Sequence, residues 1–196
     1  VIRNIGILCQ DRNSFGFVLG LQRRFGCHAE VFEPTGVPLQ STMLTRAQAK
    51  LASLQMEQVS ADLIIRFTDA DRLRWQNVKR HELEMFPPNV RPFLVCGVAV
   101  NNVEEWLALD LNYLAHRLSV PVELLQPVED RSGVIKRAIA NLHRLDHEAF
   151  EIVANIVVNA PPEVFKTWLR DESFASFYSD CRAQATRVGC QVTNEL

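Results

Sequence analysis

The sequence predicts an α/β protein: a mostly parallel sheet flanked by helices, with a helical C-terminal tail. Three observations predict it. Short apolar runs of strand length alternate with stretches whose apolar residues recur at helical spacing, which is the pattern of parallel βα units. The strands are continuously apolar, as in Leu63-Ile64-Ile65 and Phe93 to Val100, so both sheet faces are expected to be covered. After about Leu145 the pattern is helical only. Residues 1–125 are therefore assigned to an α/β domain and residues 126–196 to a helical extension packed on it.

Each element follows in order. Val1 to Cys9 reads as a buried strand. The polar cluster Gln10 to Ser14 can carry a helix N-cap, Phe15 to Phe25 reads as the helix, and Gly26 closes it. Cys27 to Phe32 is expected as a second strand and Pro34 to Pro38 as a loop. Thr45 and Gln48 make a capping box for a helix reaching Val59, with the apolar residues Ala47, Leu51 and Leu54 on one face. Asp62 to Phe67 is the clearest strand. A polar helix from about Leu73 to Glu84 ends at Phe86-Pro87-Pro88-Asn89. Phe93 to Val100 is the next strand. It leads through Asn101-Asn102 into one helix with Val103, Leu107, Leu111, Leu114 and Leu118 inward. A short strand is expected at Val120 to Leu124. Helices then cover Ser132 to Leu145, His147 to Val158, Pro162 to Arg170 and Ser173 to Val188, with Phe174, Phe177 and Tyr178 in the core.

Composition narrows the function. The chain has 196 residues, 47% hydrophobic and 22% charged, with 21 Lys plus Arg against 23 Asp plus Glu. That balance excludes a generally basic nucleic-acid coat and a disordered chain. Five cysteines form no CxxC pair, which excludes a zinc ribbon and predicts reduced, buried thiols and a cytoplasmic location. No apolar run approaches the ~18 residues of a membrane span. The opening residues read as a strand rather than a signal peptide, and the absence of an initiator Met leaves the true N-terminus open. No GxxxxGK[ST] motif is present, so P-loop hydrolysis is not expected.

In an open parallel sheet, ligands bind beyond the C-terminal strand ends. Three polar clusters fall there: Gln10-Asp11, Asp69-Ala70-Asp71 and Asn101-Asn102-Val103-Glu104-Glu105. Asp69 and Asp71 form a DxD pair whose oxygens suit Mg²⁺ or Mn²⁺. The same pair also fits a turn in which Asp69 caps a helix and Asp71 faces water. Glu104 and Glu105 suit a helix start through the dipole alone. Glu104 is taken as the ligand, and Asp110, six positions on, does not share its helix face.

These residues resemble the TOPRIM family. The match runs over roughly Val1 to Leu118, through Thr68-Asp69-Ala70-Asp71-Arg72 and Asn101-Asn102-Val103-Glu104-Glu105-Trp106. It is nearest to small bacterial proteins related to the nuclease domain of overcoming-lysogenization-defect (OLD) enzymes. The resemblance implies a TOPRIM-like fold and a metal site in which Asp69 and Asp71 match the DxD and Glu104 the later acidic residue. It also implies nuclease chemistry, phage defence and a separate ATPase partner. The family's first Glu is missing: Gln10 stands there, and Asp11 lies one position out of register. An amide oxygen can coordinate a hard cation but carries no charge and cannot act as a base.

Lys136 can neutralise charge on a phosphoryl transition state, or it is a solvated surface lysine. Arg66, Arg72, Arg74, Lys79, Arg80 and Arg91 can contact backbone phosphates, or they lie on an ordinary charged helix. His143 and His147 lack the Glu that a zincin motif places after its first His. Trp75, Trp106 and Trp168 are assigned to packing. The leading expectation is a Mg²⁺- or Mn²⁺-dependent phosphodiesterase, with Gln10, Asp11, Asp69, Asp71 and Glu104 as candidate ligands and Lys136 beside them. DNA is placed ahead of RNA as substrate, and a homo-oligomer is left open. The rival readings are a non-catalytic TOPRIM-like module, motivated by Gln10, and a DxD glycosyltransferase, which needs a larger acceptor region than this chain supplies.

Overall fold

A computed structural model describes residues 3–37, 43–127, 129–143 and 148–192. Strands β1 (Arg3–Cys9), β2 (Ala29–Phe32), β3 (Leu63–Asp69) and β4 (Leu94–Ala99) form one all-parallel sheet in the order β2-β1-β3-β4. The chain runs outward from β1 to β2, then crosses back to β3 and on to β4. The order therefore reverses between β1 and β3, and the cleft beyond their C-terminal ends is where such sheets bind ligands.

Side chains alternate across the sheet, so each strand feeds two cores. On one face Ile5, Ile7, Leu63, Ile65, Phe67 and Val95 pack against α1 (Arg12–Arg24), α4 (Val103–Leu107), α7 (Ala149–Val158) and α9 (Glu172–Arg187). On the other, Leu8, Ile64 and Leu94 meet α2 (Arg46–Gln58) and the chain after α3 (Trp75–Met85), through Ala49, Ala52, Met56 and Phe86. The covering of both faces accounts for the continuously apolar strands.

The C-terminal helices share the first core rather than forming their own. Phe17 of α1, Phe67 of β3 and Trp106 of α4 sit in one cluster with Trp168 of α8 (Pro162–Trp168) and with Phe174, Phe177 and Tyr178 of α9. The Trp106 indole N–H donates to Ser173 Oγ at 3.1 Å. Helix α1 meets α7 almost backbone to backbone. A Cβ on Gly16 would collide with the Phe150 carbonyl, and one on Gly20 would stand 2.6 Å from the Ala154 carbonyl oxygen. Among the described residues no helix is long and apolar enough to cross a membrane.

Four expectations need correction. First, α2 keeps its capping box, but its inner face is Ala49, Ala52, Ser53 and Met56, whereas Ala47, Leu51 and Leu54 are exposed. The helix lies close to the sheet over Gly6, where any Cβ would collide with Met56, and small residues allow that approach. Second, the helix expected from Val103 to Leu118 is two helices. Asp110 accepts the N–H of Tyr113 at 3.0 Å and caps a separate α5 (Leu111–Leu118). Third, Val120 to Leu124 forms no strand. Pro121 has no N–H for a ladder, and Val122–Leu125 winds into a 3-10 turn that buries Leu125. Fourth, two cysteines are not reduced thiols: Cys27, after α1, is bonded to Cys190, after α9. Cys9, Cys96 and Cys181 are free and buried, as expected.

Candidate functional site

The strand-end cluster is assembled by the reversal in strand order. Gln10 follows β1 and Asp69 ends β3, and the two strands are hydrogen-bonded neighbours. The Asp69 backbone N–H donates to Gln10 Oε1 at 3.1 Å. Asp11 starts α1 by accepting the N–H of Ser14 at 2.8 Å, so one of its oxygens serves the helix. After Asp69 the chain turns sharply. Asp71 and Arg72 both have positive φ, 44° and 71°. Two successive non-glycine residues in the left-handed region cost roughly 1–3 kcal/mol each. The turn is pinned by the Ala70 N–H on the Ala99 carbonyl at 2.8 Å.

Glu104 arrives from the other side. Asn102 caps α4 through the N–H of Glu105, and that short helix carries Glu104 into the interior. Asn13 Nδ2 donates to Glu104 Oε1 at 2.7 Å. Lys136 Nζ stands 3.8 Å from the same oxygen. Lys136 is set by α6 (Arg131–His143), whose first residue, Arg131, lies 3.6 Å from Glu105 and donates to the Leu125 and Gln126 carbonyls. The Lys136 side chain is half exposed there.

Two carboxylate oxygens here are buried without a hydrogen bond: Asp69 Oδ1 and Glu104 Oε2. Unpaired buried oxygens are costly as anions, and the titrations reflect this. Burial pushes the Asp69 carboxyl up to about 7, reinforced by the charges of Asp11, Glu104 and Asp71 and opposed by Lys136. Burial also raises Glu104, against the Asn13 hydrogen bond and the Lys136 charge. Gln10, Asp11, Asp69, Asp71, Glu104 and Lys136 thus lie in one region. Among the described residues, however, no three His, Cys, Asp or Glu side chains stand close enough to cage a metal ion.

The basic residues divide. Arg66 is completely buried on Glu82, 2.7 Å away, and also donates to the Phe67 carbonyl. Lys79 donates to Asp180 and Ser176, and Arg91 to the Phe86 and Glu84 carbonyls. All three make hydrogen bonds within the fold. Arg72, Arg74 and Arg80 are exposed. His147 and the side chain of His143 lie outside the described residues. Burial pushes the thiols of Cys9 and Cys181 well up and that of Cys96 to about 12, so none is a ready nucleophile.

Asn13 is the residue that sequence reasoning missed. It falls in the first turn of α1, three positions after Gln10, so a helix started by Asp11 already carries it towards the strand ends. The chain gives no match to protein-family models, to curated proteins or to solved structures.

Proposed function

We propose that this chain is a divalent-metal-dependent nucleic-acid phosphodiesterase of TOPRIM type, acting on DNA. The observation that carries this reading is the pair of buried, unpartnered carboxylate oxygens, Asp69 Oδ1 and Glu104 Oε2, beyond the sheet's C-terminal edge. The donor set fits Mg²⁺ or Mn²⁺ better than a caged cation. Mg²⁺ keeps several waters and is commonly held by one or two carboxylates with substrate phosphates, so a three-residue cage is not required. Asp69 and Glu104 would hold the ion, with Asp71 and Asp11 adding negative charge nearby. Bound there, it would supply an activated water and a counter-charge for the phosphoryl oxygens.

The chain's own groups have separate tasks. Asn13 fixes one Glu104 oxygen and leaves the other without a partner. Gln10 holds the end of β3 through the Asp69 N–H. Lys136, half exposed at the rim, brings positive charge to a phosphate entering the site. Arg72, Arg74 and Arg80 offer sequence-independent contacts to flanking phosphates. A separate ATPase chain and a part in phage defence rest on the TOPRIM resemblance alone. A cytoplasmic location belongs to the same reading.

One observation favours a second reading, a non-catalytic module. The Gln10 carbonyl is taken by the Asp69 backbone rather than left for a cation. Incubation with plasmid and single-stranded DNA in Mg²⁺ or Mn²⁺ separates the two. The first reading expects cleavage by the parent and none by Asp69→Asn or Glu104→Gln. Cleavage that persists in both variants removes the assigned site. Inactivity of a parent that still binds DNA favours the module.

A further inference from the structure

Helix α2 carries a second stripe of residues on the side away from the sheet. Ala49, Ala52, Ser53 and Met56 take the sheet side, so Ala47, Leu51 and Leu54 project from the opposite one, and Gln58 continues their line. Their spacing of four, three and four residues is the heptad seam that one helix offers to another. Leu51 is 40% exposed and Leu54 49%. A single exposed leucine is ordinary on a protein surface. Here the charges beside the stripe specify what covers it.

Lys50 and Glu57 border the stripe on one flank, two helical turns apart. Both are exposed, and among the described residues neither has an ion-pair partner. Arg46 stands in the first turn, one turn before Lys50, and Glu57 in the last turn. Basic residues at the start and an acidic one at the end are the reverse of what the helix dipole favours, and like charges four residues apart repel. A second α2 running antiparallel compensates this order, because its acidic end lies beside the basic end of the first. The other flank is already satisfied. Gln48 closes the capping box, and Gln55 exchanges two hydrogen bonds with the Thr35 backbone at 2.8 Å.

We propose that α2 is a self-association surface: it pairs antiparallel with α2 of a second copy of this chain, Leu51 of each copy against Leu54 of the other and Lys50 of each against Glu57 of the other. The contact is isologous and closes at two copies. A parallel pair would set Lys50 against Gln55 and bring it no opposite charge. A helix of this length spans about 20 Å. One face of it buries less than the ~800 Å² per partner of a standard interface, so the dimer is weak and reversible. None of the strand-end residues lies on α2, so the pairing is independent of the phosphodiesterase reading.

Sedimentation equilibrium of the full chain at low salt tests it, from about 10 µM to about 1 mM, the range in which a small interface associates. The parent is expected to pass from monomer to dimer. The double variant Leu51→Ser/Leu54→Ser is expected to stay monomeric. Lys50→Glu and Glu57→Lys should each weaken the dimer about 2- to 30-fold, because each removes two symmetry-related ion pairs. Lys50→Glu/Glu57→Lys in one chain should restore the parent's association. A mixture of the two single variants should form a heterodimer tighter than either homodimer, since every pair across it is then attractive. All four positions are exposed, so the melting temperatures should stay close to the parent's. A parent that is monomeric throughout overturns the proposal. A dimer that persists in Leu51→Ser/Leu54→Ser does so too, because it forms elsewhere. A dimer indifferent to both single charge reversals overturns the antiparallel pairing.

Discussion

The side-chain carbonyl of Gln10 accepts the backbone N–H of Asp69 at 3.1 Å, across the point where the strand order reverses. The residue that departs from the TOPRIM pattern thus holds the proposed ligand in place. Gln10→Glu keeps an acceptor for that N–H and adds a negative charge to a region that already raises the Asp69 carboxyl. It is expected to bind Mn²⁺ more tightly than the parent, measured by calorimetry. Gln10→Leu removes the acceptor and should cost about 1–3 kcal/mol in urea unfolding.

The titration of Asp69 predicts an unusual pH dependence. Its pKa in the fold is about 7, against 3.8 for the ordinary group. Between those values the unfolded chain has released a proton that the folded chain retains, so stability falls as pH rises from about 4 to about 7 and is flat above. The raised Glu104 carboxyl acts with the same sign. Asp69→Asn removes the Asp69 contribution. In EDTA the variant should exceed the parent by about 1–4 kcal/mol at pH 8 and differ little at pH 4. Urea unfolding at the two pH values checks this.

Much of this was legible in the sequence. The apolar runs Ile5 to Cys9, Leu63-Ile64-Ile65 and Leu94 to Ala99 point to a sheet covered on both faces, and the polar residues at the ends of β1, β3 and β4 mark the strand ends. The inner face of α2 was not legible. Leu51 and Leu54 are the larger hydrophobes, yet the close approach over Gly6 selects Ala49, Ala52 and Met56 instead. Asn13 was hidden because its partner Glu104 lies 91 positions away. Arg66 looked like a phosphate contact because its partner Glu82 sits on another element. The Cys27–Cys190 bond spans 163 positions and no local signal announces it.

That bond ties the turn after α1 to the end of α9. Its loss should destabilise the fold by about 2–5 kcal/mol, since closing a loop of this length removes much entropy from the unfolded chain. Cys27→Ser and treatment with dithiothreitol should lower the melting temperature by similar amounts, and dithiothreitol should then have little effect on Cys27→Ser.

The buried Arg66–Glu82 pair predicts a larger and purely structural effect. Glu82 accepts from Arg66 through one oxygen and from the Leu44 N–H at 2.8 Å through the other. Glu82→Leu strands a buried guanidinium and a buried N–H. It should cost about 3–5 kcal/mol in urea unfolding.

The most direct test of the central claim is Mn²⁺ binding to the full chain at pH 8, followed by calorimetry for the parent, Asp69→Asn and Glu104→Gln. Asp69 is largely ionised at that pH, so the protonated fraction does not mask a site. The account predicts saturable Mn²⁺ binding by the parent and its loss in both variants, each still folded. A folded parent that binds no Mn²⁺, or variants that bind it as the parent does, would contradict the assignment of Asp69 and Glu104 as a cation-binding pair.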